Sequence, residues 1–95
     1  MKNQQEIGLW EAIAEMERIS AVGGEFSFAF YTHNKDDGSG GRRVLINTAR
    51  LRKRTSSDKI ANSDHKLFFT DLHSNLPRNC WQILIVEFNG KKTII

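Results

Sequence analysis

The sequence predicts an α+β fold in which an N-terminal helix packs on one bent antiparallel sheet of about five strands. Apolar residues recur at helical spacing near the N-terminus, and phenylalanines alternate with smaller residues in Glu25–Asn34. An Asn-Gly pair between apolar runs near the C-terminus is a strong hairpin signal. The 95 residues are predicted to form a single domain, 1–95, because a chain of this length buries one modest core.

The helix is predicted over residues 4–22. Gly8 weakens its first turns, and Gly23-Gly24 ends it because glycine readily takes the left-handed conformation of a helix C-cap. Its apolar face is expected to cover the sheet. The apolar residues share one side because they repeat every three or four positions; they are Leu9, Ala12, Ile13, Met16 and Ile19.

Residues 25–54 are predicted to form a two-strand hairpin. In its first strand Phe26, Phe28 and Phe30 share one face and are expected to meet the helix. The connection "KDDGSGG" has turn chemistry. In the second strand the apolar side changes near Asn47–Ala49, which predicts a β-bulge. Because bulges bend strands, we expect a sheet that is strongly bent or that closes in part into a small barrel.

Residues 66–95 are predicted to form a three-strand meander. Its first strand is "KLFFTDL", "HSNLPRN" is a connection, and "CWQILIVEF" is the central strand because it is apolar on both faces. Trp81 therefore falls in the predicted core. Asn89 and Gly90 suit the positive φ angles of a type I′ turn, which sets Glu87 opposite Lys92 in the last hairpin.

Charge is distributed unequally along the chain. Residues 1–40 carry a formal charge of −4 and residues 41–95 carry +7, which gives the net +3. A basic half favours an anionic partner. The acidic half can equally pair with it, within the fold or between subunits, so both interpretations stay open at this point.

The densest positive charge lies in "TARLRKRTSS", Thr48 to Ser57. A row of guanidinium groups on an extended strand suits phosphate, and an aromatic neighbour would favour nucleic acid. The alternative is that these cations solubilise an exposed strand end and prevent edge-to-edge pairing. The candidate contacts for an anion or a nucleic acid are Arg42, Arg43, Arg50, Arg52, Lys53, Arg54, Tyr31 and His33.

No catalytic or metal-binding pattern stands out. His33, His65 and His73 are scattered, and the HxxxH, HExxH and CxxC spacings do not occur. Cys80 begins an apolar strand and is expected to be a buried, inert thiol. We therefore expect a protein that is not an enzyme, without catalytic residues, cofactor, metal or small-molecule substrate.

The same features predict a cytoplasmic protein. No apolar run reaches the roughly 20 residues that span a bilayer, and "MKNQQEIGLW" lacks the pattern of a secretory signal, so no membrane partner is expected. A single cysteine cannot form an intramolecular disulfide, which favours a reducing compartment.

A series of short segments carries a family resemblance. They are Phe26 to Phe30, Leu51-Arg52, Phe68 to Asp71, Arg78 with Cys80-Trp81, and Phe88 to Gly90. With "FFTD", "R-x-CW" and "FNG" in this order, the chain resembles small uncharacterised proteins encoded in prophages and other mobile elements of gut bacteria. These are packing and turn residues, and the family has no established activity. The resemblance implies a phage-type structural or accessory protein, which would be virion-associated in some cases.

Two functions follow from the sequence. The leading hypothesis is a non-enzymatic interaction or assembly module that binds a protein partner or self-associates, since oppositely charged halves can associate head to tail. The alternative is a nucleic-acid-binding accessory protein that uses the basic strip from Arg50 to Arg54.

Overall fold

A computed structural model describes residues 5–32, 41–53 and 65–95. They form one helix that packs on one sheet, so the predicted α+β class is confirmed. One turn of 3-10 helix, Gln82–Leu84, joins the fifth and sixth strands. The helix is α1 (Leu9–Ala21), and the strands are β1 (Glu6–Gly8), β2 (Phe26–Tyr31), β3 (Arg43–Leu51), β4 (Lys66–Asp71), β5 (Leu76–Trp81), β6 (Ile85–Phe88) and β7 (Lys91–Ile94).

The sheet has seven strands in the order β1-β7-β6-β2-β3-β4-β5 across the described residues. Neighbouring strands are antiparallel except β1 and β7, which are parallel. The outermost strands, β1 and β5, do not pair with each other, so the described sheet is not closed into a barrel. The prediction of about five strands was too low, and the sheet is mixed rather than purely antiparallel.

β1 is one of the two strands that the sequence did not predict, because its residues were assigned to the helix over 4–22. Ile7 lies opposite Thr93 of β7 and is buried in the core. Gly8 is extended, with φ −62° and ψ 141°, and forms the N-cap of α1. The helix therefore begins at Leu9, in agreement with the weakening effect expected from Gly8.

Residues 76–79 of β5 were predicted to belong to a connection, and this was wrong. The strand lies at the edge of the sheet, where a strand pairs on one side only and can accommodate proline. Pro77 lies opposite Thr70 of β4. The turn that precedes β5 contains Asn75 with a φ of 57°, a left-handed conformation that asparagine tolerates well.

The apolar run "CWQILIVEF" is not one central strand. Its first part ends β5, where Cys80 lies opposite Leu67, and its last part is β6, where Ile85 lies opposite Phe30. The 3-10 turn between them carries the chain from one side of the β2–β3 hairpin to the other. The predicted meander is therefore two separate hairpins, β4–β5 and β6–β7, that flank β2 and β3.

The predicted hairpin and its bulge are confirmed. β2 and β3 are antiparallel, with Phe28 opposite Ile46 and Phe26 opposite Ala49. Two steps along β2 thus match three along β3, so β3 carries one additional residue at 47–48, within the region where the apolar pattern changes side.

The predicted closing turn is confirmed as well. Asn89 and Gly90 have φ angles of 48° and 81°, and Glu87 lies opposite Lys92. The side chain of Asn89 also accepts a hydrogen bond from the backbone N–H of Ser27 at 2.9 Å, which ties the turn to the beginning of β2.

The core lies between α1 and the sheet face that carries Phe26, Phe28 and Phe30, as predicted. The ring of Phe69 meets Phe28 edge-on at 4.9 Å and lies 6.0 Å from Phe30, although its neighbour on β3 is Leu51. Phe69 lies opposite Leu51 and Phe28 lies opposite Ile46, so in a flat sheet the two rings would be far apart. Because the rings are in contact, the sheet bends and β4 lies over β2 across the core. The beginning of β4 consequently lies near the end of β2.

Candidate anion-binding site

Arg50, the first member of the predicted basic strip, is used within the fold. Its Nε donates a hydrogen bond to the carbonyl of Gly24 at 3.0 Å, and its Nη2 donates to the carbonyl of Gly23 at 2.9 Å. Both carbonyls follow the C-terminal end of α1, where a positive charge also complements the helix dipole. Arg50 therefore attaches the end of the helix to β3.

At the beginning of β3, Arg43 contacts the fold through its side chain and the preceding Arg42 through its backbone. Nη2 of Arg43 lies 3.1 Å from the carboxylate of Glu87 on β6, and the backbone N–H of Arg42 donates to Thr32 Oγ1 at 2.9 Å. Tyr31 lies opposite Arg43. The structure thus places Tyr31 beside Arg43, at the opposite end of β3 from Arg50. His33 and Arg54 lie outside the described residues.

Three cations come together at a depression between the C-terminal half of α1, the end of β3 and the beginning of β4. We call it the cationic depression; its volume is about 480 Å³, and Arg52, Lys53 and Lys66 line it. Glu17 of α1 adds one negative charge to its wall. The apolar residues that line it are Ile13, Ala21, Leu51, Leu67 and Phe68, and the remaining polar ones are Ser20 and Gln82.

Local contacts hold this surface in place. The backbone N–H of Leu51 donates to Ser20 Oγ at 2.9 Å, which attaches β3 to the helix. Nε2 of Gln82 donates to the carbonyl of Lys66 at 3.2 Å, and this contact orients the first residue of β4. The Arg52 guanidinium lies over the ring of Phe68, 5.2 Å from its centre, in a cation–π contact.

A smaller depression of about 220 Å³ adjoins the cationic one, and Lys66 lines both. We call it the aromatic depression because Tyr31 and Trp81 lie in its wall. Tyr31 is 41% exposed and Trp81 is half-buried. The Lys66 ammonium lies 4.9 Å from the centre of the Trp81 ring. The other lining residues are Phe30, Thr32, Asn79 and Cys80.

Lys66 and Trp81 are site residues that the sequence reasoning missed, since Trp81 was predicted to lie in the core. They lie directly opposite each other in the β4–β5 hairpin. No local alternation indicates Lys66, because Leu67, Phe68 and Phe69, the three residues that follow it, are all buried. Its position opposite Trp81 can be recognised only when β5 is known to be a strand.

The chemistry of Cys80 agrees with the prediction of an inert thiol. The side chain is 5% exposed, and burial raises its pKa from 9.0 to about 12, against a smaller opposing effect of the nearby Arg78 charge. The thiol stays protonated at neutral pH and is a poor nucleophile.

The remaining polar candidates stay apart from the two depressions. His65 and His73 are exposed, and the backbone N–H of His73 donates to Asp71 Oδ1 at 3.1 Å. In residues 5–32, 41–53 and 65–95, no group of three or more His, Cys, Asp or Glu side chains could hold a metal ion. Over the same part of the chain, no helix combines the length and the apolar character that membrane crossing requires.

Comparison of the chain with protein-family models, with curated proteins and with solved structures found no match.

Proposed function

We propose that the protein is a non-enzymatic interaction module that binds an anionic partner at the cationic and aromatic depressions. The observation that carries the proposal is the convergence of Arg52, Lys53 and Lys66 on one concave surface. A concave surface lined by charges of one sign focuses its field and raises the local concentration of oppositely charged partners. Glu17 reduces this field on the helix side but leaves a net positive charge among the residues that line the depression.

The same geometry moves the binding surface away from the linear strip that the sequence indicated. Arg50 donates to two backbone carbonyls, and Arg43 contacts Glu87, so these side chains serve the fold. Arg52 and Lys53 of the predicted strip remain on the binding surface, and Lys66, which is distant in sequence, joins them. A module of this kind fits the assembly or accessory role that the prophage resemblance implies.

The proposal is tested by chromatography on immobilised heparin, a generic polyanion. We expect the protein to be retained at about 50 mM salt, and the double variant Lys53→Gln, Lys66→Gln to elute at clearly lower salt. The matched control is Lys91→Gln, Lys92→Gln, which removes the same charge from β7. Equal shifts for both double variants, or no retention of the native chain, would show that the depressions do not form an anion-binding surface.

A further inference from the structure

We infer that the anionic partner is a single-stranded nucleic acid, with a base in the aromatic depression and its neighbouring phosphates at the cationic depression. The inference rests on the proposed function and adds the class of partner. It follows from the position of Lys66, which joins a surface suited to flat rings to a surface suited to phosphates.

The aromatic depression suits one planar ring. Its volume of about 220 Å³ is below the range of roughly 300–1,000 Å³ that holds drug-sized ligands. Tyr31, a residue that is 41% exposed, offers a phenol ring, and Trp81 offers an indole in the same wall. Aromatic side chains of this kind stack with bases without selecting a sequence, because every base has a π-face. Asn79, also in the wall, adds an amide that can bond to a base edge.

The cationic depression suits the backbone that connects successive bases. Lys66 is shared by both depressions, and Lys53 and Arg52 continue the positive surface along the end of β3. Rings and phosphates alternate along a single strand, so a base held beside Tyr31 brings its neighbouring phosphate towards Lys66. Positive grooves with aromatic stacking positions are the usual means of binding single strands.

Other anionic partners use less of this surface. A duplex keeps its base faces stacked, so they are not accessible to Tyr31 or Trp81. An acidic protein segment supplies carboxylates for Lys53 and Lys66, but it does not need the aromatic depression, which suits a planar ring. Glu17 opposes phosphate at the rim of the cationic depression, so Glu17→Gln is expected to strengthen the binding of a single strand.

The inference is tested with labelled single strands of DNA and RNA of mixed sequence, about 12 nucleotides long, a length within the range of known single-strand sites. The protein contains two tryptophans, and Trp10 is 57% exposed at the start of α1, so Trp10→Phe leaves Trp81 as the only indole. We expect fluorescence anisotropy of the label to rise and Trp81 emission to be quenched over the same concentration range. Binding of either nucleic acid with this quenching supports the inference.

Substitution of Tyr31 separates ring stacking from charge attraction. Tyr31→Ala is expected to weaken single-strand binding by roughly 5- to 150-fold, the range for loss of one stacked base, and to leave retention on heparin unchanged. Tyr31→Leu keeps apolar bulk without a ring and should show the same loss if the fold is intact by circular dichroism. Trp10→Ala, an exposed tryptophan on another part of the surface, is the control and should bind as the native chain does.

The outcomes distinguish the inference from the proposed function. Retention on heparin with no Trp81 quenching, and with Tyr31 variants that bind as the native chain does, leaves an anion-binding module and overturns the nucleic-acid inference. Equal or tighter binding of duplex DNA or of poly-L-glutamate overturns it as well. Weaker heparin retention and weaker single-strand binding in Lys53→Gln, Lys66→Gln, with weaker single-strand binding alone in Tyr31→Ala, supports both.

Discussion

Substitution of Arg50 tests whether the arginines that hold the fold together are separate from the cations of the proposed site. We expect Arg50→Gln to lower the free energy of unfolding by about 2 kcal/mol and to leave polyanion binding unchanged. The side chain donates to the carbonyls of Gly24 and Gly23 at 3.0 and 2.9 Å and so joins β3 to the end of α1. Glutamine is too short to make both contacts from the same backbone position.

The magnitude follows from the exposure of the two hydrogen bonds. A hydrogen bond that involves a charged group contributes about 1.5–3 kcal/mol. The bond to Gly24 is partly buried and is taken near the low end of this range, whereas the bond to Gly23 is exposed and is taken below about 1 kcal/mol. Their sum is about 2 kcal/mol. For a domain of this size that loss lowers Tm by about 10 °C.

The assay is urea unfolding followed by tryptophan fluorescence, with heparin retention measured on the same preparations. Arg42→Gln is the matched control, because it removes an exposed arginine just before the beginning of β3 and should change stability by less than about 0.5 kcal/mol. An Arg50→Gln variant that keeps the stability of the native chain but loses affinity for heparin would contradict this structural role, since Arg50 would then belong to the binding surface.

Three further predictions concern the core and the backbone. Phe28→Ala should lower the free energy of unfolding, measured by urea unfolding, by about 3–5 kcal/mol, because Phe28 is fully buried. The control Leu45→Ala should lower it by less than about 1 kcal/mol, because Leu45 is half exposed; equal losses would place the core elsewhere. Cys80 loses its proton near pH 9.0 when unfolded and near pH 12 when folded, so the unfolded state binds fewer protons in this window and stability falls as pH rises. Its share of the loss is about 1.4 kcal/mol at pH 10, and Cys80→Ala should lack it when urea unfolding at pH 8 and pH 10 is compared; an identical pH dependence would contradict the raised pKa. In Gly41→Ala the methyl group of the alanine would meet the backbone carbonyl of Thr32, so we expect a lower Tm. Thermal unfolding followed by circular dichroism measures this change, and an unchanged Tm would rule out that close approach.

Local chemistry accounts for what could be predicted from the sequence. The phenylalanine alternation of β2, the bulge at 47–48 of β3 and the Asn89-Gly90 turn each depend on residues close together in the chain, and each is confirmed. Sequence patterns report such features because the side-chain period and the turn conformation are properties of a few consecutive residues.

Non-local pairing accounts for what could not be predicted. β1 exists because Ile7 pairs with Thr93 at the other end of the chain, and no local pattern indicates this contact. β5 was missed because Pro77 argues against a strand unless the strand lies at an edge. Position in the sheet, which decides both cases, is a property of the whole fold.

Prediction of the candidate site also depended on contacts between residues that are distant in sequence. The basic strip was recognised, but Arg50 turned out to hold the end of the helix, while Lys66 and Trp81 entered the site through the β4–β5 pairing. Tyr31 was a predicted candidate that the fold places near Lys66 rather than near Arg50. The bend of the sheet brings these residues together, and the bend is visible only when strand order is known.

The salt dependence of single-strand binding is the sharpest test of an anion-binding site at the cationic depression. With three phosphate contacts from Arg52, Lys53 and Lys66, the logarithm of the binding constant should fall against the logarithm of salt concentration with a slope of about −2. Lys53→Gln, Lys66→Gln should reduce the slope to about −0.7, and Lys91→Gln, Lys92→Gln should leave it near −2. A slope near zero, or an identical slope for the two double variants, would contradict an anion-binding site at the cationic depression.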